Sequence, residues 1–292
     1  MLMNLQPPAP LEYFASLVQS DKGFPLIEAA ASLAQDEYPQ LDLQQVLDDV
    51  ERLQARLNQR GIHYLTVAER LIRLNLFFYD ELQFGPHHEP RERHGNHDGG
   101  DEDPENHYLH HVLAQRQGSA VPLALLWLEL AKDVYLNAHG VFFAGQLLIR
   151  VLPGQGQQIV IDPLNGRSLS PAHLAQRLHP GDARMAALVE QRMPGLLLQT
   201  ATPREIIAHM LRNLQAIFMA QRDFARLLGV QNRLMTLLPT DWETLRERAL
   251  TYRQLGLVER AIEDLQQYLA HVHQGPCAQE AAQALEQLRM QR

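Results

Sequence analysis

The last third of the chain most restricts what it can fold into. Displacing the sequence by 34 residues brings Phe218 onto Tyr252, Arg222 onto Gly256 and Phe224 onto Val258. The same shift brings Leu227 onto Ala261 and Leu234 onto Tyr268. A repeat of this length is one supersecondary unit, too small to bury its own apolar face, so successive copies must stack.

Thirty-four residues is the period of the tetratricopeptide repeat, a pair of antiparallel helices. In the second copy Ala249, Tyr252, Gly256, Ala261 and Leu265 fall where that repeat takes small or aromatic residues. Pro239 falls at the terminal proline of the first. The competing reading is an unrelated four-helix tail. Residues 203–292 are assigned to the repeats, starting near Thr202 or Pro203, with Pro194–Thr200 as the predicted linker.

Upstream, four segments have helical periodicity: Leu11–Gln19, Pro25–Tyr38, Leu43–Gln59 and Val67–Phe84. Together they predict an N-terminal helical subdomain over 1–84. Residues 85–104 break every pattern and read as a His-rich surface loop. Asn106–Arg116 and the strongly apolar Val121–Tyr135 read as helices, Gly140–Leu152 as one strand and Gln158–Asp162 as a second. The fold class is therefore α+β and mainly helical, with a small antiparallel sheet in a core over 105–200.

Composition excludes several functions. A formal charge of -8 and a pI near 5.9, without a dense Lys/Arg run, argue against nucleic-acid binding. The most apolar segment, Val121–Ala131, contains Glu129 and is about half a membrane span. The N-terminal residues lack the basic and apolar regions of a signal peptide. One cysteine, Cys277, forbids an intrachain disulfide and suits a reducing cytoplasm.

Three blocks then point to a family. Arg116–Leu123 (RQGSAVPL), Val141–Arg150 (VFFAGQLLIR) and Ile161–Gly166 (IDPLNG) stand in order, with Glu37-Tyr38-Pro39 upstream and the repeats downstream. This arrangement resembles the bacterial transglutaminase-like and tetratricopeptide proteins of the SirB type. The resemblance implies a transglutaminase-like, or papain-like, core. Such a site needs a thiolate at a helix start, a histidine to take its proton and an acid to hold the imidazole. By resemblance those positions are Ala120, Gln146 and Asp162. Alanine cannot attack a carbonyl and glutamine offers no basic nitrogen near neutral pH, so the site is expected to be vestigial.

Other nucleophiles and ligands are weaker candidates. Ser119 adjoins the vacant position, but His111 and His139 lack any supporting spacing as its base, and an N-cap role fits better. Asp162 has two structural readings, a turn-forming Asp-Pro and a partner for the Gln146 amide. Cys277 lies far away, in the repeats. Seven histidines fall between His87 and His111, with Asp98, Asp101, Glu102 and Asp103 among them. His94, His97, His107 and His111 are the candidate metal ligands, the last two sharing a face if helical. None matches a named zinc motif, so no metal and no cofactor is expected.

The expected function is that of a non-catalytic interaction or regulatory protein, binding a protein partner through its repeats. The alternative is a residual hydrolase or peptidase using Asp162. Direct DNA binding, which the family's regulatory label implies, conflicts with the acidic balance and the lack of a helix-turn-helix.

Overall fold

A computed structural model describes residues 8–20, 23–86, 103–154, 156–178 and 198–290. Two compact units emerge. One takes in Pro25–Ala34 and Gln40–Ile206, the other Met1–Phe24, Gln35–Pro39 and Ile207–Arg292. The grouping follows packing rather than chain order.

The first unit contains helices α2 (Leu26–Ser32), α3 (Leu43–Asn58), α4 (Val67–Asn75), α5 (Leu109–Gln115), α6 (Ala120–Asp133) and α7 (Pro171–Gln176). Its sheet has three antiparallel strands, β1 (Ala138–Phe143), β2 (Gln146–Gly154) and β3 (Gln157–Ile161), in the order β1-β2-β3. Sequence signals account for the helix starts. Asp42 caps α3 through its carboxylate, and Thr66 with Glu69 forms a capping box on α4. α6 is apolar around most of its circumference, with ten buried residues from Val121 to Ala131, as a central helix must be.

The strand expected over Gly140–Leu152 is two strands. The chain reverses at Ala144 and Gly145, both left-handed with φ of 49° and 76°, so that Phe143 pairs with Gln146. Two successive left-handed residues make the tight turn whose twist suits a hairpin. An alanine at the first of them hides the signal, since Asn, Asp or Gly is usual there. Val141, Phe143, Leu148 and Val160 form a cluster with Leu174 of α7 and Leu198, while α6 lies against β1 and β2.

The described end of the expected linker is ordered against this sheet. Arg150 donates to the Leu198 carbonyl and the Thr200 hydroxyl, each at 2.7 Å, and Thr200 bridges Val141.

α4 also ends earlier than its apolar periodicity suggests. Leu76–Glu81 continues as a π-helical turn, which rotates Tyr79 relative to a regular helix.

The second unit holds α1 (Pro10–Leu17) and most of α8 (Pro203–Gln221), within which the unit boundary falls. It also holds α9 (Phe224–Leu237), α10 (Trp242–Gln254), α11 (Val258–His271) and α12 (Pro276–Met290). Thr202 and Glu205 close a reciprocal cap at the start of α8. Aligned repeat positions share one fate: Phe218, Tyr252, Leu227, Ala261, Leu234 and Tyr268 are all buried. Two Arg–carboxylate pairs cross-link the unit. Arg248 bonds Asp264 at 2.7 and 2.8 Å and Asn232 at 3.1 Å. Arg233, only 1% exposed, bonds Asp36 at 2.6 and 3.0 Å beneath the ring of Phe14. That pair explains why α1 and Gln35–Pro39 belong with the repeats.

No helix among the described residues is long and apolar enough to cross a membrane.

Candidate active site

α6 begins where the resemblance places the nucleophile. Ala120 is its first residue and Ser119 its N-cap, although the Ser119 hydroxyl makes no capping bond. It lies instead 3.1 Å from Nδ1 of His107, with both side chains buried, while the Ser119 N–H donates to the Asn106 carbonyl at 2.9 Å. The histidine facing Ser119 is therefore neither of the two expected. His111 approaches Glu105 at 3.6 Å, and His139 bonds Asn137 at 2.8 Å from β1. Burial and the charge of Arg150 push the His139 imidazole below its ordinary value.

Gly118 has a packing reason. A Cβ there would overlap the Val112 side chain and crowd the Asn106 carbonyl at 3.1 Å. Its N–H donates to the Gly85 carbonyl at 3.1 Å, and the Gly85 N–H to Arg116 at 3.0 Å. Both described flanks of the His-rich stretch are thus fastened to residues 116–119, Gly85 on one side and Asn106 on the other.

His94 and His97 lie outside the described residues. His107 and His111 do not share a helical face, because His107 ends a 3-10 turn (Pro104–His107) and Tyr108 intervenes as the N-cap of α5. The break lies at Tyr108, whose extended backbone separates the 3-10 turn from α5. Burial, aided by His111, pushes the His110 imidazole down to about 4. Among the described residues no group of three or more His, Cys, Asp or Glu could hold a metal ion.

Gln146 and Asp162 do come together, through a residue that the sequence reading missed. Arg177, just beyond α7, donates to Gln146 Oε1 at 3.0 Å and to Asp162 Oδ2. Asp162 is buried, while Gln146 opens β2 and is exposed. The other Asp162 oxygen accepts the Leu164 N–H at 2.9 Å, forming an Asx turn in which the Gly166 N–H meets the Asp162 carbonyl. Both oxygens of the acid therefore accept a hydrogen bond. Asp162 is a turn-former, as one structural reading held, but its side-chain partner is Arg177 instead of the Gln146 amide. Only the cationic residue type at 177 hints at this in sequence.

The rest of the IDPLNG block is gripped from α4 and its π turn. Tyr79 donates to the Pro163 carbonyl at 2.9 Å, and Asn75 to the Gly166 carbonyl at 3.0 Å while accepting from Trp127 at 2.9 Å. Gly166 is left-handed, and a Cβ there would strike the Tyr79 ring. Burial, with the negative charge of Asp162, raises the Tyr79 phenol far above its ordinary range, so it stays a neutral donor. The single thiol, Cys277, is exposed on α12 of the other unit.

Comparison with known proteins gives this geometry its context. Residues 44–212 match the model of the transglutaminase-like superfamily, and residues 214–289 that of the tetratricopeptide repeat. A UPF0162 protein of Xylella fastidiosa (strain Temecula1) is 32% identical over 254 residues, covering 85% of this chain and 84% of the relative. Protein SirB1 of Salmonella typhimurium is 28% identical, covering 80% and 81% of the two chains. UPF0162 protein YchA of Escherichia coli K12 is also 28% identical, covering 81% and 82%. No solved structure matches. The chain belongs to the transglutaminase-like superfamily, within the family of UPF0162 and SirB1 proteins, and carries tetratricopeptide repeats behind its transglutaminase-like domain.

Proposed function

We propose that this protein is a non-catalytic member of its superfamily, a cytoplasmic interaction or regulatory factor whose repeats bind a protein partner. The observation that carries this reading is the Arg177 bridge between Gln146 and Asp162. An acid that must orient an imidazolium is here spent on a guanidinium and a turn, beside an amide that cannot take a proton. With alanine at the start of α6, the nucleophile and the base are missing from the positions that resemblance assigns, and the acid that is present, Asp162, is bonded to Arg177.

A second reading, a residual hydrolase, is favoured by one observation, the Ser119–His107 contact at a helix N-terminus. Burial weighs against it, since the two residues are only 5% and 2% exposed. A substrate carbonyl has to reach the nucleophile, whereas this hydroxyl ties the 3-10 turn to α6.

Covalent probes separate the two readings. A fluorophosphonate should leave Ser119 unlabelled by peptide mapping. Labelling at Ser119 that disappears in H107A would establish the hydrolase. For the partner, affinity capture with the intact chain should retain a protein lost on M219E, which alters an exposed apolar residue of α8. Equal retention would remove the repeats from the binding surface.

A further inference from the structure

We propose that Arg177 is the residue that keeps this site from acting as a base-and-acid pair: restoring the histidine alone will not rebuild it. This rests on the reading of positions 146 and 162 as the base and acid of the superfamily.

The geometry is specific. One guanidinium reaches both side chains with separate nitrogens, Nη1 to Gln146 Oε1 and Nη2 to Asp162 Oδ2. Arg177 is held from behind, because its own N–H bonds the Leu174 carbonyl at 3.0 Å at the end of α7, whose start is capped by Ser170. Leu174 is buried in the cluster that covers the sheet. The Arg177 backbone is thus anchored at the end of a packed helix, and its guanidinium is held by Gln146 and Asp162.

Glutamine suits this arrangement, since its amide oxygen accepts from Arg177 and carries no charge. An imidazole at that position meets a cation paired with Asp162 instead. Among the described residues, the charged groups bonded at this site are Arg177 and Asp162, and Tyr79, which senses Asp162, stays neutral. While Arg177 neutralises Asp162, protonating the imidazole is opposed by the cation and unaided by the acid. With Arg177 removed, the Asp162 oxygen is released to accept the imidazole N–H and favour its charged form. Arg177 is therefore a positioning residue, selecting an uncharged acceptor at 146.

NMR titration of the imidazole introduced by Q146H, in the full chain, tests this. In Q146H the midpoint should fall below the ordinary histidine value of about 6.5, and in Q146H/R177Q it should rise above it, a separation of roughly one pH unit or more. Equal midpoints, or a midpoint already above the ordinary value in Q146H, overturn the proposal. Should R177Q fail to fold, Q146H alone decides by the side of the ordinary value on which it titrates. Turnover by the unmodified chain would overturn the non-catalytic reading without moving these midpoints, so the two failures are distinguishable.

Discussion

The repeats and the transglutaminase-like unit answer differently to the same question, what a position in a family pattern demands. In the repeats the demand is for volume. Phe218 and Tyr252 differ by a hydroxyl and Leu234 and Tyr268 by shape, yet each pair is buried at the same place in its helix. In the transglutaminase-like unit the blocks fall at a helix start, a strand start and a strand end, but the groups there are Ala120, Gln146 and Asp162. Packing tolerates such exchange because it sums many small contacts. Chemistry does not, since one missing nitrogen ends a proton transfer.

The largest effect should come from the Arg233–Asp36 pair of the repeat unit, in which the guanidinium is buried and the carboxylate covering it is exposed. D36A leaves the Arg233 guanidinium buried without its carboxylate, and should lower stability by about 3 kcal/mol in urea unfolding. A change near zero would make the pair incidental and leave α1 only loosely joined to the repeats.

Two glycines sharpen the comparison next. Gly166 and Gly256 are both left-handed, with φ of 70° and 73°, but only Gly166 faces a side chain, Tyr79, that an added Cβ would strike. G166A should therefore cost about 2 kcal/mol or more, and G256A about 1 kcal/mol from backbone strain alone. Equal losses would show that the grip of Tyr79 on the IDPLNG block yields without penalty.

Acid should affect the transglutaminase-like unit through His110. Its folded-state value, pushed down to about 4, lies below the ordinary 6.5. Between these values the unfolded chain binds more protons than the folded one, so stability falls as pH drops through that window and is fully present above it. The contribution, discounted for partial exposure, is on the order of 1 kcal/mol. H110Q should flatten that part of the pH profile, and an unchanged profile would remove His110 as its source.

The smallest effect belongs to the site itself. A120C adds one sulfur to a half-buried helix start, and should change stability by less than about 1 kcal/mol.

How far the sequence was legible follows the same division. The 34-residue period located the repeats and the apolar run Val121–Tyr135 located α6, because burial is a local demand that recurs at fixed spacing. The hairpin at Ala144-Gly145 was not legible, since an alanine stands where a turn normally signals itself. Nor was the π turn that aims Tyr79, because it retains apolar spacing close to that of a helix. At the site, the three positions could be located by resemblance, and their residue types were plain. The partners could not be read, because Arg177 and His107 meet Asp162 and Ser119 through tertiary folding, 15 and 12 residues away in the chain.

The proposal that the transglutaminase-like site does no acyl chemistry can be tested directly. The most direct measurement is amine incorporation and peptide hydrolysis by the purified full chain, run beside D162A and S119A. Signals at the blank are expected for all three proteins. Turnover by the unmodified chain that is abolished in D162A or S119A would contradict the proposal.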